Sequence, residues 1–150
     1  MSAALLIDAC GLSQREAADF LNVRIDTVKG WYRPRPSAAR PGVLSELRAL
    51  HAKQRRAAAR QIALIRQLVR QHVAPDAIEL ALSSDDVEAR QKGWPCVGAE
   101  RMAYALVAAR VEMPCILVPR GSTPASAAAA DAHETQKKAP PALRPAGQKA

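Results

Sequence analysis

The tightest constraint on this chain is the punctuation of residues 12–32, LSQREAADFLNVRIDTVKGWY, where a start signal, a small-residue stripe and a stop signal bound one short helix. Ser13 followed by Glu16 is a capping box: the hydroxyl accepts an unpaired N–H of the first turn, and the carboxylate reaches back to the cap. A helix is therefore predicted from Gln14. Ala17, Ala18 and Leu21 line it at helical spacing, and the alanines let a second helix come close. Asn22 stops it, because asparagine ranks next to glycine in tolerating the left-handed conformation that follows a helix. Val23 fills the corner, and Val28 with Trp31 press a second helix onto the first. The outer side of that helix is then Arg24, Asp26, Thr27, Lys29, Gly30 and Arg33.

Upstream, Ala3 to Ala9 reads as a short helix closed by Gly11, with Leu5, Leu6 and Ala9 covering the helix pair. Downstream, Arg33-Pro34-Arg35-Pro36 cannot stay helical, since proline lacks the donor and biases the preceding residue toward extended conformations. This segment, through Arg40-Pro41, either places arginines near phosphate or serves as a solvated linker. A long helix is predicted over 43–73, between Pro41 and Pro75, roughly 45 Å if unbroken. Leu44, Leu47, Leu50, Ala58, Ile62, Ile65 and Val69 form its apolar stripe, and Lys53, Arg55, Arg56, Arg60, Arg66 and Arg70 its opposite face, which beyond Arg56 reads as solvated more than as a DNA contact.

From Asp76 the pattern changes. Residues 77–82 alternate like a short strand, and 115–118 read as another. Between them Ser84, Asp85 and Asp86 start a helix, Gly93-Trp94-Pro95 breaks it, and 99–113 form a second. Met102, Leu106, Val107 and Val111, with Tyr104, make that helix apolar around much of its circumference, so it is buried in its own domain or in a partner subunit. Residues 121–150 hold almost no large apolar side chains and are predicted to be a disordered tail.

The net charge is +8, and its distribution matters more than its sum. Residues 1–75 hold 13 Lys and Arg against 5 Asp and Glu, whereas 76–120 hold 5 against 7. A polyanionic partner is therefore expected at the first half. No apolar run approaches the roughly 20 residues a bilayer requires, and no leader opens the chain, so a cytoplasmic location is expected. Cys10, Cys96 and Cys115, like His51, His72 and His133, lack metal-ligand spacing, and no metal or cofactor is expected. Nor is an enzyme: there is no phosphate-cradling glycine loop or nucleophile elbow, and Asp85, Asp86 and Glu88 read as first-turn acids.

Residues 12–32 resemble the helix-turn-helix of the lambda-repressor and Cro family of phage and bacterial regulators, the XRE or Cro/C1 type. The resemblance rests on Leu12, Gln14, Ala18, Leu21, Val23, Thr27, Val28 and Trp31, followed by Arg33 and Arg35. It covers roughly a fifth of the chain and identifies a module. It implies a five-helix-type DNA-binding module continuing into the long helix (1–75); with the patterns above, the expected fold is mainly α, followed by a small α+β region of strand-helix-helix-strand (76–120) and the disordered tail (121–150). Ala18, Leu21, Val23, Val28 and Trp31 would form the core of the motif, and Gln14 would hold DNA phosphate. The second helix would enter the major groove with Ile25, Asp26, Thr27, Lys29 and Gly30 at or near the bases, flanked by Arg24, Arg33 and Arg35. Two positions depart from the family: Asn22 replaces the usual glycine, and Arg24 stands where a capping Ser or Thr is usual.

One such module reads a half-site too short to be selective, so a homodimer on an inverted repeat of double-stranded DNA is the expected working form. Met102, Tyr104, Leu106, Val107 and Val111 are the candidates for its dimer contact. The layout, with Trp94 and the apolar helix after it, is also similar to the anti-CRISPR-associated repressors, which implies a repressor of its own operon. Two other readings stay open. One is an antitoxin-type protein whose C-terminal half binds a partner encoded nearby; the other is a phage DNA packaging or recombination accessory factor.

Overall fold

The computed structural model describes residues 2–128 and 131. In chain order the elements are α1 (Ala3–Ala9), α2 (Gln14–Phe20), α3 (Ile25–Trp31), α4 (Pro41–Arg70), β1 (Ile78–Leu82), α5 (Asp86–Gln91), α6 (Val97–Ala108) and β2 (Cys115–Pro119). The fold is mainly helical, with one small parallel sheet. Among the described residues no helix is long and apolar enough to cross a membrane.

The helix ends follow their local sequence. Ser13 accepts from Glu16 N, and the Glu16 carboxylate accepts from Ser13 N at 2.6 Å, completing the capping box of α2. Asn22 closes that helix at φ 49, while Val23 N donates to Ala18 O and Asn22 N to Asp19 O. That pair of bonds satisfies the last carbonyls of the helix, and it is available only because residue 22 accepts a left-handed backbone. Gly11, at φ 70, closes α1 in the same way through Leu12 N to Ile7 O.

α4 is the spine on which two cores are built. Its first half contributes Val43, Leu47 and Leu50 to a cluster with Leu6, Ile7, Leu12, Ala17, Ala18, Leu21, Val28 and Trp31. Its second half contributes Ala58, Ile62 and Ile65 to a cluster with Ile78, Leu80 and Val107. Between them lies Gln54, fully buried, whose Nε2 donates to Cys10 O and to Ala99 O, each at 2.9 Å. One side chain thus ties the end of α1 and the start of α6 to the spine. The backbones of α1 and α6 also meet directly, at Gly11 and Gly98.

β1 and β2 pair in parallel, in register from Ile78 with Cys115 to Leu82 with Pro119. Parallel neighbours need a long crossover, and α5 and α6 supply it. At the end of β1, Glu100 lies buried on α6 with three partners: the Lys92 ammonium, Ser83 N at 3.0 Å and the Tyr104 hydroxyl at 3.4 Å.

Several sequence expectations shift in the folded chain. Four helices precede β1, where the resemblance implies a five-helix module continuing into the long helix. The prolines at 34 and 36 keep the stretch between α3 and α4 non-helical, and α4 alone fills the remaining length. Leu5 is exposed, and the buried face of α1 is Ala3, Leu6 and Ile7. Lys53 leaves the solvated face: its ammonium bonds Gly93 O and lies 4.8 Å from the centre of the Trp94 ring. Val69, placed in the stripe, is 45% exposed.

α6 begins earlier than predicted because the Cys96 thiol caps it, accepting from Ala99 N at 3.4 Å. It ends at Ala108 and not at Met113; Pro114 bars a helical Met113 but does not itself set the earlier end. The predicted tail starts too early as well. Residues 124–128 are helical, Ser126 is buried, and the Thr123 hydroxyl bonds the Glu79 carboxylate on β1. Thr123 before Pro124 is itself a cap-and-start signal, since Ser126 N donates to Thr123 Oγ1 at 3.2 Å. The remainder of the tail assignment, apart from residue 131, falls outside the described residues.

Candidate nucleic-acid interface

Two short helices and the turn at Asn22 present one polar face. Val28 and Trp31 point inward from α3 and are buried against Ala17, Ala18 and Leu21. A seven-residue helix with those positions inside must hold its intervening positions outside, and Arg24, Asp26, Thr27 and Lys29 are all exposed. Arg33 and Arg35, on the segment after α3, are exposed too, and Gln14 at the start of α2 is half-buried.

The remaining predicted positions are placed differently. Ile25 packs against the first core. Gly30 lies beside the following segment: its carbonyl accepts from Ser37 N, and a Cβ added there would come within 3.1 Å of Ser37 Oγ. Neither offers a free side chain to a partner. Val23 is half-buried against the same core that Leu21 and Ala18 enter.

Local electrostatics are mild. Lys29 and Asp26 approach within 3.9 Å, but with side chains 57% and 73% exposed this pair contributes little to stability. It orients the Lys29 ammonium and leaves it accessible. Arg24 caps α3 with extended backbone but no side-chain hydrogen bond, the physical consequence of arginine at a position where Ser or Thr would accept one. Tyr32, at the end of α3, donates to the Asp8 carboxylate at 2.7 Å and so locks α3 to α1. Burial, and then the hydrogen bond to Asp8 and its charge, raise its phenol above the ordinary range.

Behind the polar face, Glu16, Asp86 and Cys96 bring one ligand-type atom each within 4.8 Å of one another. All three already serve backbone N–H groups, those of Ser13, Val97 and Ala99. Their convergence joins α2, α5 and α6. Burial pushes Glu16 up, but its hydrogen bonds with Ser13 outweigh that and leave it below the ordinary glutamate range. Its contribution to stability is therefore present above the unfolded pKa and is lost as the pH falls through the folded one. Ser13→Ala removes the reciprocal cap and should lower stability by about 1 kcal/mol. Urea unfolding at neutral and acidic pH should show part of the acid sensitivity vanish with it; an unchanged midpoint and acid limb would contradict this role.

The thiols of Cys10 and Cys96 are pushed up to about 11, chiefly by burial, so neither is a nucleophile at neutral pH. The stability of their protonated forms is complete below the unfolded thiol pKa of about 8.5 and declines as the pH rises toward 11.

Sequence reasoning missed Gln54, Glu100 and Lys92. A signal existed for the first: Gln54 lies on the stripe four residues from both Leu50 and Ala58, and a polar side chain there must find partners when buried. A comparison with family models finds no match for this chain, and one with curated proteins finds none either.

Proposed function

We propose that this protein is a sequence-specific DNA-binding transcriptional regulator, acting as a homodimeric repressor on an inverted repeat, with its own operon as a target. The observation that carries this reading is the exposure of Arg24, Asp26, Thr27 and Lys29 along one side of α3, while Val28 and Trp31 anchor the other. α3 inserts into the major groove, where Thr27 and Lys29 read base edges. Asp26 orients Lys29 and disfavours a phosphate in its place. Gln14, Arg24, Arg33 and Arg35 contact the backbone and set the register of docking. The excess of basic residues in 1–75 supplies the salt-dependent part of the affinity.

The test is selection of binding sites from random duplexes, followed by footprinting upstream of the gene. An inverted repeat should emerge, with affinity falling steeply as salt rises. Replacing Thr27 and Lys29 together by alanine should lower the ratio of selected to random DNA affinity by at least about tenfold. Retention of full selectivity by that double variant would show that α3 does not read the bases.

A further inference from the structure

The predicted dimer contact on α6 is largely used within the chain itself. Val107 has no exposed surface; Tyr104, Leu106 and Val111 pack against the second core, and the Tyr104 hydroxyl donates to Ala81 O at 2.9 Å. Strand β2 leaves a different surface unused.

The direction of its backbone groups follows from the ladder. Ile78 N donates to Pro114 O at 2.8 Å, and Arg120 N donates to Leu82 O at 3.0 Å. In a parallel pair every second residue turns both backbone groups toward its neighbour. Pro114, Ile116, Val118 and Arg120 therefore face β1, and Cys115 and Leu117 direct N–H and C=O to the other side. Pro119 has no N–H, and its carbonyl is taken by Ser122. Among the described residues that side is an open edge. Edge strands are ordinarily guarded by short length, proline, charge or a bulge. β2 is short and has prolines at 114 and 119, but the outward groups of Cys115 and Leu117 lie between them, residues 113–119 carry no charge, and Ile116 and Leu117 are 47% and 49% exposed.

We infer that β2 pairs antiparallel with β2 of a second copy about a two-fold axis at Ile116, giving one continuous sheet in the order β1-β2-β2-β1. This register uses the outward groups of both residues: Cys115 and Leu117 of one copy exchange both hydrogen bonds with Leu117 and Cys115 of the other. Ile116 then lies directly opposite Ile116 of the second copy in the close, non-hydrogen-bonded position where β-branched pairs pack best. A register about Leu117 would instead direct Cys115 N–H at the occupied Pro119 carbonyl.

The inference rests on the proposed DNA-binding reading only for its purpose, since a second α3 completes the site. Its test contains no DNA. Ile116→Lys places like charges face to face across the axis while leaving the backbone bonds of residue 116 to β1 in place. Leu117→Pro deletes the outward N–H, which β1 does not use. Sedimentation velocity at micromolar concentration should give a dimer for the native chain, a monomer for Ile116→Lys, and dimerisation at least about thirtyfold weaker for Leu117→Pro. Hydrogen exchange identifies the contact: the amides of Cys115 and Leu117 should be slow in the native dimer and fast in Ile116→Lys, with those of Ile116 and Val118 slow in both. That last pair also reports that the variant is folded.

A monomeric native chain overturns the inference, as does a dimer in which the Leu117 amide exchanges freely or which survives Ile116→Lys. A β2-paired dimer that selects no DNA sequence would overturn the functional proposal and leave this contact standing.

Discussion

Glu100→Ala should be the most destabilising single substitution outside the apolar cores, lowering unfolding free energy by about 3–5 kcal/mol. Glu100 is 1% exposed, and its carboxylate takes the Lys92 ammonium and the Ser83 N–H, with the Tyr104 hydroxyl beside it. Its loss leaves the Lys92 ammonium, with a side chain 15% exposed, only the neutral acceptors Ser83 Oγ at 3.2 Å and Ala81 O at 3.5 Å, and takes the partner from the Ser83 N–H just past β1. A buried pair need not be stabilising as a pair, but breaking one half of it is costly. Replacing both Glu100 and Lys92 by methionine should therefore cost less than Glu100→Ala, and chemical denaturation of the three proteins measures the difference. Burial, then the Glu100 charge, hold the Tyr104 phenol above its ordinary range, so an ultraviolet titration of Glu100→Ala should show Tyr104 ionising at lower pH. A Glu100→Ala protein within 1 kcal/mol of the native chain would show that Lys92 reaches water freely.

Gly98→Ala is expected to cost about 3 kcal/mol, at the upper end for an overpacked site. A Cβ on residue 98 would sit 2.2 Å from Gly11 O, and a backbone oxygen cannot move aside as a flexible side chain can. Position 11 has the reciprocal restriction, with φ +70 and a Cβ that would lie 2.5 Å from Gly98 O. The two glycines let the end of α1 touch the start of α6 where Gln54 binds both, so separating them also strains the bonds to Cys10 O and Ala99 O. Thermal unfolding of Gly98→Ala should show a much lower midpoint than the same substitution at Gly42, which has open space around it. Equal midpoints would mean that the close approach is not needed.

Much of the first half was legible locally. The Ser13 and Glu16 cap, the stop at Asn22, the break at Pro34 and the span of α4 between prolines each arise from a few neighbouring residues whose backbone preferences are strong. The inward set Ala18, Leu21, Val28 and Trp31 followed from helical spacing. The outward set was read less well: Ile25 and Gly30 depend on what packs beside α3, and the segment carrying Ser37 is not announced by periodicity. The apolar character of α6 was also plain, but a pattern that fits a partner subunit fits an internal core equally well, and Val107 belongs to the latter.

The sequence by itself determined where helices start and stop, which half carries the basic charge, and which residues of α2 and α3 face each other, because these depend on neighbours within one or two helical turns. Tertiary structure alone decided that β1 and β2 run parallel, that Gln54 and the glycines at 11 and 98 fasten α1 to α6, and that Lys92 meets a buried Glu100. Apart from Lys92 and Glu100, which lie either side of the Gly93–Cys96 break, these contacts join residues far apart in the chain, and a hydrogen bond or close backbone approach at that range leaves no periodic trace in the residues between. The same holds for the outward backbone groups of Cys115 and Leu117: residue types do not encode which side of a strand is already paired, and only the ladder with β1 reveals which side is left open among the described residues.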